Sequence, residues 1–228
     1  MYLKLAINLI IFLCSISLSF CQNSAFGVTG NVGFSKIDYD LGVSDNKKDK
    51  LRLSSDFGFF FEKRIKQKSG LGAKLLWVSL KGEREVSDIE LFTINPETLM
   101  REPLGSRTSF TTFYLNYIGV PIYYLYNTKN LTLNTGIQTM ILTNASSRFR
   151  EDVFLNGEAP RILSEGDNNF EFKRIDIGAT IGISYALSNK ITLTSSFYYG
   201  LLNIDKNPSR SEKKNRQITL GLNYYFKI

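Results

Sequence analysis

Residues 217–228, QITLGLNYYFKI, alternate without a break. Ile218, Leu220, Leu222, Tyr224, Phe226 and Ile228 fall on one side; Gln217, Thr219, Gly221, Asn223, Tyr225 and Lys227 fall on the other. Successive side chains of a strand point to opposite faces, so this segment is predicted to be a strand. Its twelve residues are about twice the usual length in soluble domains.

The pattern recurs along the chain. Eight strands are predicted, near 25–35, 51–62, 70–79, 110–126, 131–142, 174–187, 191–202 and 216–228. The sixth sets Ile175, Ile177, Ile181, Ile183, Tyr185 and Leu187 against Asp176, Gly178, Thr180, Gly182 and Ser184. The third and fourth are blurred, because Leu76, Val78, Tyr117, Tyr123 and Leu125 sit on the face that is otherwise polar. No segment of residues 22–228 shows a sustained helical period. The connections, 36–50, 63–69, 80–109, 127–130, 143–173, 188–190 and 203–215, alternate long and short. In an up-and-down meander the long ones gather at one end and the short ones at the other, as in outer-membrane barrels. An even strand count leaves both termini at the short-turn end.

Alternation alone does not say which face points outward. A lipocalin-like soluble barrel keeps its apolar face inside, and a membrane barrel inverts it. Three observations favour inversion. Of twelve strand glycines, eleven lie on the polar face and only Gly30 does not; glycine suits a narrow, curved interior. The strand charges Arg52, Asp56, Glu62, Lys74, Arg174, Asp176 and Lys227 share that face. Aromatic residues of the apolar face gather at strand ends, with Tyr124, Tyr126, Tyr224 and Phe226 on the turn side and Phe34 and Tyr114 on the loop side, as in interfacial girdles. The expectation is an all-β, eight-stranded antiparallel up-and-down transmembrane barrel, its last strand pairing with its first. It would lie in the outer membrane of a Gram-negative bacterium with periplasmic termini.

The N-terminus fits such a destination. Lys4, the uncharged and mostly apolar run Leu5 to Phe20, and the small Ser19 and Cys21 read as a signal peptide over residues 1–21, leaving 22–228 as the barrel domain. The run is short for a spanning helix, which needs about 20 residues. Acylation at Cys21 is the alternative, but Phe20 stands where a small residue is expected. Cys14 and Cys21 are the only cysteines and histidine is absent. A zinc centre, a Ser-His-Asp triad and a Cys-His pair are therefore excluded.

RIDIGATIGISYAL (174–187) resembles the Arg-x-Asp-x-Gly…Gly pattern of the Bacteroidota outer-membrane β-barrel domain known as the PorT family, with Arg174, Asp176, Gly178 and Gly182 matching. YIGVPIYYLY (117–126) is similar to that family's Tyr-Leu-Glu-Ile-Pro-Leu run: Pro121 matches, and Gly119 replaces the usual acid. AFGVTGNVGFSKI (25–37) looks like its first strand. The resemblance implies an eight-stranded outer-membrane barrel and no set activity; a particular member serves protein secretion and gliding.

No catalytic, cofactor-binding or metal-ligating set emerges, and no enzyme activity is expected. The inward polar residues Asp56, Glu62, Lys74, Asn134, Gln138, Arg174, Asp176 and Asn223 could line an ion path or form a structural network in which opposite charges pair. Eight strands enclose little more than their own side chains, so the network is expected. Phe60, Met140, Tyr198 and Tyr225 would fill the lumen, with aromatic rings closing the gaps at Gly178 and Gly182. The net charge of +7 includes Lys63, Arg64, Lys66 and Lys68 in one short turn. No aromatic-interleaved basic stripe suggests nucleic acid. Expected partners are outer-membrane lipid and lipopolysaccharide, the barrel-assembly machinery during insertion, and an extracellular or periplasmic protein. The functional expectation is a structural or interaction barrel acting through its long loops; a narrow small-solute pore, a secretion component and a soluble carrier are the alternatives.

Overall fold

The computed structural model describes residues 24–40, 47–95, 97, 100–155, 161–168, 172–206 and 212–226. The leader expected at 1–21 and the inward position expected for Lys227 lie outside them. The strands are β1 (Ser24–Asp40), β2 (Lys47–Lys66), β3 (Ser69–Ile94), β4 (Arg101–Asn127), β5 (Leu131–Leu155), β6 (Arg161–Asn168), β7 (Ile175–Ala186), β8 (Ile191–Gly200) and β9 (Glu212–Tyr225). Each pairs antiparallel with its neighbours. Eight of them, all but β6, form a closed ring in the order β4-β3-β2-β1-β9-β8-β7-β5, with β5 returning to β4. First and last strands close it, in register from Gly27↔Tyr225 to Asp40↔Glu212.

The fourth strand is followed in the ring by β5, which serves two partners. Its lower part, Leu131 to Ile141, pairs with β7. Its upper part, Ser147 to Val153, pairs with β6. The strand beyond the expected eight, β6, is therefore an addition to the tall side of the barrel. Heights differ: β3, β4 and β5 have 26, 27 and 25 residues, and β7 and β8 have 12 and 10.

This corrects the long connections. Much of 36–50, 80–109 and 143–173 is strand, as β1 runs on to Asp40, β2 begins at Lys47, β3 reaches Ile94 and β5 reaches Leu155. The ladder continues past the lipid, but its outer face no longer needs to be apolar. Period-2 hydropathy fades while the hydrogen bonding persists. Cross-strand ion pairs take over the outer face there, Lys50 with Glu85 and Arg52 with Glu83. The short turns lie at 67–68, 128–130 and 187–190; the first is shorter than the expected 63–69, because β2 runs on to Lys66 and takes Lys63, Arg64 and Lys66 into the ladder.

The apolar face points outward. Phe57 is 60% exposed, Ile181 60%, Leu220 55% and Leu222 49%; Phe59 is exposed too, and Ile177 partly so. Asp56, Gln138, Gly178 and Asn223 are buried. On β1 the outer face reads Phe26, Val28, Gly30, Val32, Phe34, and charge begins at Lys36, paired in register with Arg216 of β9. Tyr124, Tyr126, Tyr185, Tyr224 and Phe226 ring the short-turn end, all exposed. Such an apolar belt edged by aromatics suits a bilayer.

Candidate functional site: the lumen

Above the short-turn end the interior is packed with side chains. Inward side chains of β3, β4 and β5 supply an apolar wall of Leu76, Val78, Leu80, Phe113, Leu115, Tyr117 and Met140, each buried. These include Leu76, Val78 and Tyr117, which blurred the alternation of the third and fourth strands; Tyr123 and Leu125, the other two, are buried as well. Both faces of these strands are dry, one against lipid and one against the lumen packing, so period-2 contrast is lost.

Across from them, β1, β7, β8 and β9 present Thr, Ser, Asn, Gln and Gly. Ser184 Oγ donates to Thr194 Oγ1 at 3.2 Å. Ser196 and Thr219 hydroxyls bond at 2.8 Å. Gln217 Nε2 donates to Ser54 Oγ at 3.4 Å. Tyr198 from β8 leans over Gly178, where an added Cβ would come within 2.5 Å of the ring. The gap at Gly178 is thus closed by an aromatic ring as expected. The gap at Gly182 is closed differently: Asn134 fills it, its Oδ1 being 2.6 Å from the added atom.

Four of the expected polar residues meet. Asp56, Lys74, Asn134 and Gln138 line one cavity of about 30 Å³ at mid-lumen, with Asn31 and Gln217. That volume holds about one or two waters. Asn31 Nδ2 donates to Asp56 Oδ1 at 2.5 Å. Lys74 feels the charges of Asp56 and Glu62, and its Nζ lies 5.7 Å from the Tyr123 ring centroid.

The rest are spread along the axis. Glu62 stands nearer the short-turn end, where Tyr123 and Tyr225 hydroxyls donate to its two oxygens, each at 3.2 Å. Below it opens a mouth of about 540 Å³, edged by Arg64, Asn127, Lys129 and Asn189. Asp176 accepts from Asn215 Nδ2 at 2.8 Å, and Asn215 also reaches the Tyr117 hydroxyl at 3.2 Å. Asn223 is buried opposite Thr29 and Thr192 in register. Arg174 is a correction: it is exposed in the bend before β7. With the strand beginning one residue later, inward parity does not reach it.

A second correction concerns charge pairing. Among the described residues no ion pair within 4.0 Å joins Asp56, Lys74 and Asp176. The carboxylates instead take hydrogen bonds from neutral amides and phenols, which satisfy a buried anion with less rigid geometry than a salt bridge demands.

The long-hairpin end is sealed by residues that the sequence did not single out. Lys213 Nζ and Asp205 Oδ2 pair at 2.7 Å, with 5% and 7% of their side chains exposed. Lys213 Nζ lies 5.8 and 5.4 Å from the Phe113 and Phe172 ring centroids, and those rings meet edge to face. Asn203 Oδ1 accepts from the backbone N–H of Asp205 and of Lys213, both at 2.9 Å. Ile204, fully buried, completes the seal. Residues 203–215 read as a loop; Lys213 instead lies on β9 and points inward by strand parity, while Asn203, Ile204 and Asp205 come from the connection. Asn31, Asn215 and Gln217 were also missed as site residues; their inward parity was the available signal.

Several solved structures share the architecture. Neisserial surface protein A matches with 15% identity over 90% of this chain and 100% of that one, at a TM-score of 0.44. The attachment invasion locus protein Ail of Yersinia pestis, in complex with the heparin analogue sucrose octasulfate, matches with 9% identity over 90% and 100% at 0.43. The outer membrane protease OmpT from Escherichia coli matches with 9% identity over 90% and 95% at 0.38. No curated protein matches the sequence. The family model of the outer membrane protein beta-barrel domain matches residues 20–206. With its closed ring, apolar belt and filled lumen, the chain belongs to that family of outer-membrane proteins.

Proposed function

We propose that this protein is a non-enzymatic, non-conducting outer-membrane barrel that works as a scaffold for its tall sheet. The observation that carries this reading is the filled lumen, whose mid-section leaves only about 30 Å³ free. Apolar packing above that cavity and the Lys213–Asp205 pair support this reading. The β2–β6 sheet projects past the belt and ends in exposed Phe92, Ile94, Met100, Leu104, Phe154 and Ile162. Apolar groups gathered on a projecting surface favour contact with a protein partner.

The motif around Arg174, Asp176, Gly178 and Gly182 supports a place in the PorT-like branch of Bacteroidota, with a secretion-linked role as the finer reading. The leader at 1–21 would be removed on export, and both ends of the barrel domain would face the periplasm. That domain contains no cysteine, so labelling tests the orientation directly. Intact cells treated with an impermeant maleimide should label Glu97→Cys at the hairpin tip and spare Asn189→Cys in a short turn. The reverse pattern would invert the topology. Planar-bilayer recordings of purified protein should show no stable openings. Steady channel currents would replace the scaffold reading with the narrow pore.

A further inference from the structure

Above the belt, the two sides of the barrel carry their outward charges differently. On the short side Lys36 and Arg216 share Asp38, and Lys214 meets Glu212. On the tall side the outward cations cluster, with Glu165 and Asp167 of β6 standing opposite Arg150 and Arg148 in register. Lys50, Glu83, Thr112 and Arg148 lie on one row across β2, β3, β4 and β5. The row faces outward, on the same side as the lipid-facing residues. The bulge between Leu51 and Ser55 brings Lys50 and Arg52 onto this face, beside the exposed Leu53 at the end of the belt.

This row borders a recess of about 410 Å³, which also takes in Arg52, Phe110 and Arg150. Glu83 holds Arg52, Glu85 holds Lys50, and Asp152 takes two bonds from Arg150 at 2.8 and 3.1 Å. Lys50 is further placed over the Phe110 ring, 5.5 Å from its centroid. Exposed Arg148 stands opposite Asp167 of β6 in register. Lys81 rests its ammonium 5.4 Å from the Tyr114 ring centroid. The recess itself is thus lined by four cations, Lys50, Arg52, Arg148 and Arg150, and two carboxylates, Glu83 and Asp152, at a height just beyond the apolar belt.

Directly below on the same strands runs an apolar groove of about 410 Å³, walled by Val28, Phe57, Phe59, Leu75, Trp77 and Ile118. On β3 only Ser79 and Lys81 separate the outward Trp77 of the groove from Glu83 of the recess. Gly30, beside the groove on β1, has nothing within 4 Å of where a Cβ would stand. A cationic recess stacked on a membrane-level groove matches one class of ligand, a lipid with a phosphate headgroup.

We propose that the β2–β5 wall holds a phosphorylated membrane lipid, its phosphate in the Arg148–Arg150 recess and an acyl chain in the Trp77 groove. Guanidinium groups suit phosphate by planar, paired hydrogen bonding. The membrane confines the ligand to the height at which these groups emerge. The proposal needs neither a particular topology nor a particular partner for the hairpin tips.

Trp77 is the sole tryptophan and reports on the groove. The protein is reconstituted into phosphatidylcholine vesicles containing a minor fraction of brominated-chain lipid, either phosphatidic acid or phosphatidylcholine. Phosphatidic acid should quench Trp77 several-fold more than an equal fraction of brominated phosphatidylcholine. Arg148→Ser/Arg150→Ser should reduce that preference by up to about 30-fold in relative affinity, and Lys36→Ser/Lys214→Ser on the short side should retain it. Heat-dependent gel mobility confirms that each variant is folded. Inorganic phosphate in millimolar excess should leave the quenching in place. Equal quenching by the two lipids, or a preference untouched by the arginine changes, would overturn the proposal. Displacement by inorganic phosphate would reduce the recess to a site for free anions and equally defeat the lipid claim.

Discussion

The lumen face of β3 and β4 carries Leu76, Val78, Leu80, Phe113, Leu115 and Tyr117, whereas that of β1, β8 and β9 carries Thr29, Asn31, Thr194, Asn215, Gln217 and Thr219, all buried. Both walls are dry, and they achieve it by different means. The tall wall packs large apolar groups against one another. The short wall uses small polar groups that bond sideways, as Ser196 does with Thr219, and glycines that leave room for rings from adjacent strands. Large side chains on one side and small ones on the other interdigitate better than two equal sets would. The difference teaches that an inverted barrel need not have a polar interior all round. Once the lumen is closed, an inward position is governed by packing and hydrogen-bond satisfaction, as in any protein core.

The largest test of the contrast is on the tall wall. Phe113→Ala should cost about 3–5 kcal/mol, while Thr194→Ala on the short wall should cost about 1 kcal/mol. Urea unfolding of vesicle-reconstituted protein measures both, and similar losses would erase the distinction between the walls. Asp205→Ala leaves Lys213 buried between two phenyl rings without its carboxylate. A loss of about 3–5 kcal/mol is expected, and it should appear in the same titration; a neutral result would mean that the seal is open to water. Leu220→Arg on the lipid face should cost about 2–4 kcal/mol if it sits near the midplane, which places the belt independently of the lumen. The smallest pair sharpens the glycine argument. Gly178→Ala must move both the Tyr198 ring and the Tyr199 carbonyl and should cost about 1–3 kcal/mol. Gly30→Ala meets open space and should stay within about 0.5 kcal/mol.

Much of this molecule was legible because strand parity is a local property. Ile181 and Leu220 outward, Asp56 and Asn223 inward, the eight ring strands and the closure of the last onto the first all follow from alternation and connection length. Lys81, Glu83 and Arg148 were hidden for an equally local reason: beyond the lipid both faces of a strand are polar, and the period that marks it disappears. Arg174 failed by a single residue at a strand end, where hydrogen bonding and not hydropathy sets the boundary.

The amino-acid sequence by itself determined which side of each strand meets lipid, since parity depends on nothing further away than the next residue, and the strand count with the order of connections pointed to closure. It did not determine what lies across the lumen. That Asn31 rather than a lysine satisfies Asp56, that Asn134 rather than a ring fills the space at Gly182, and that Lys213 and Asp205 seal the long-hairpin end depend on the stagger between strands and on a connection folding inward. Stagger is fixed only when all eight strands close together, because the register of each pair sets the height of the next around the ring.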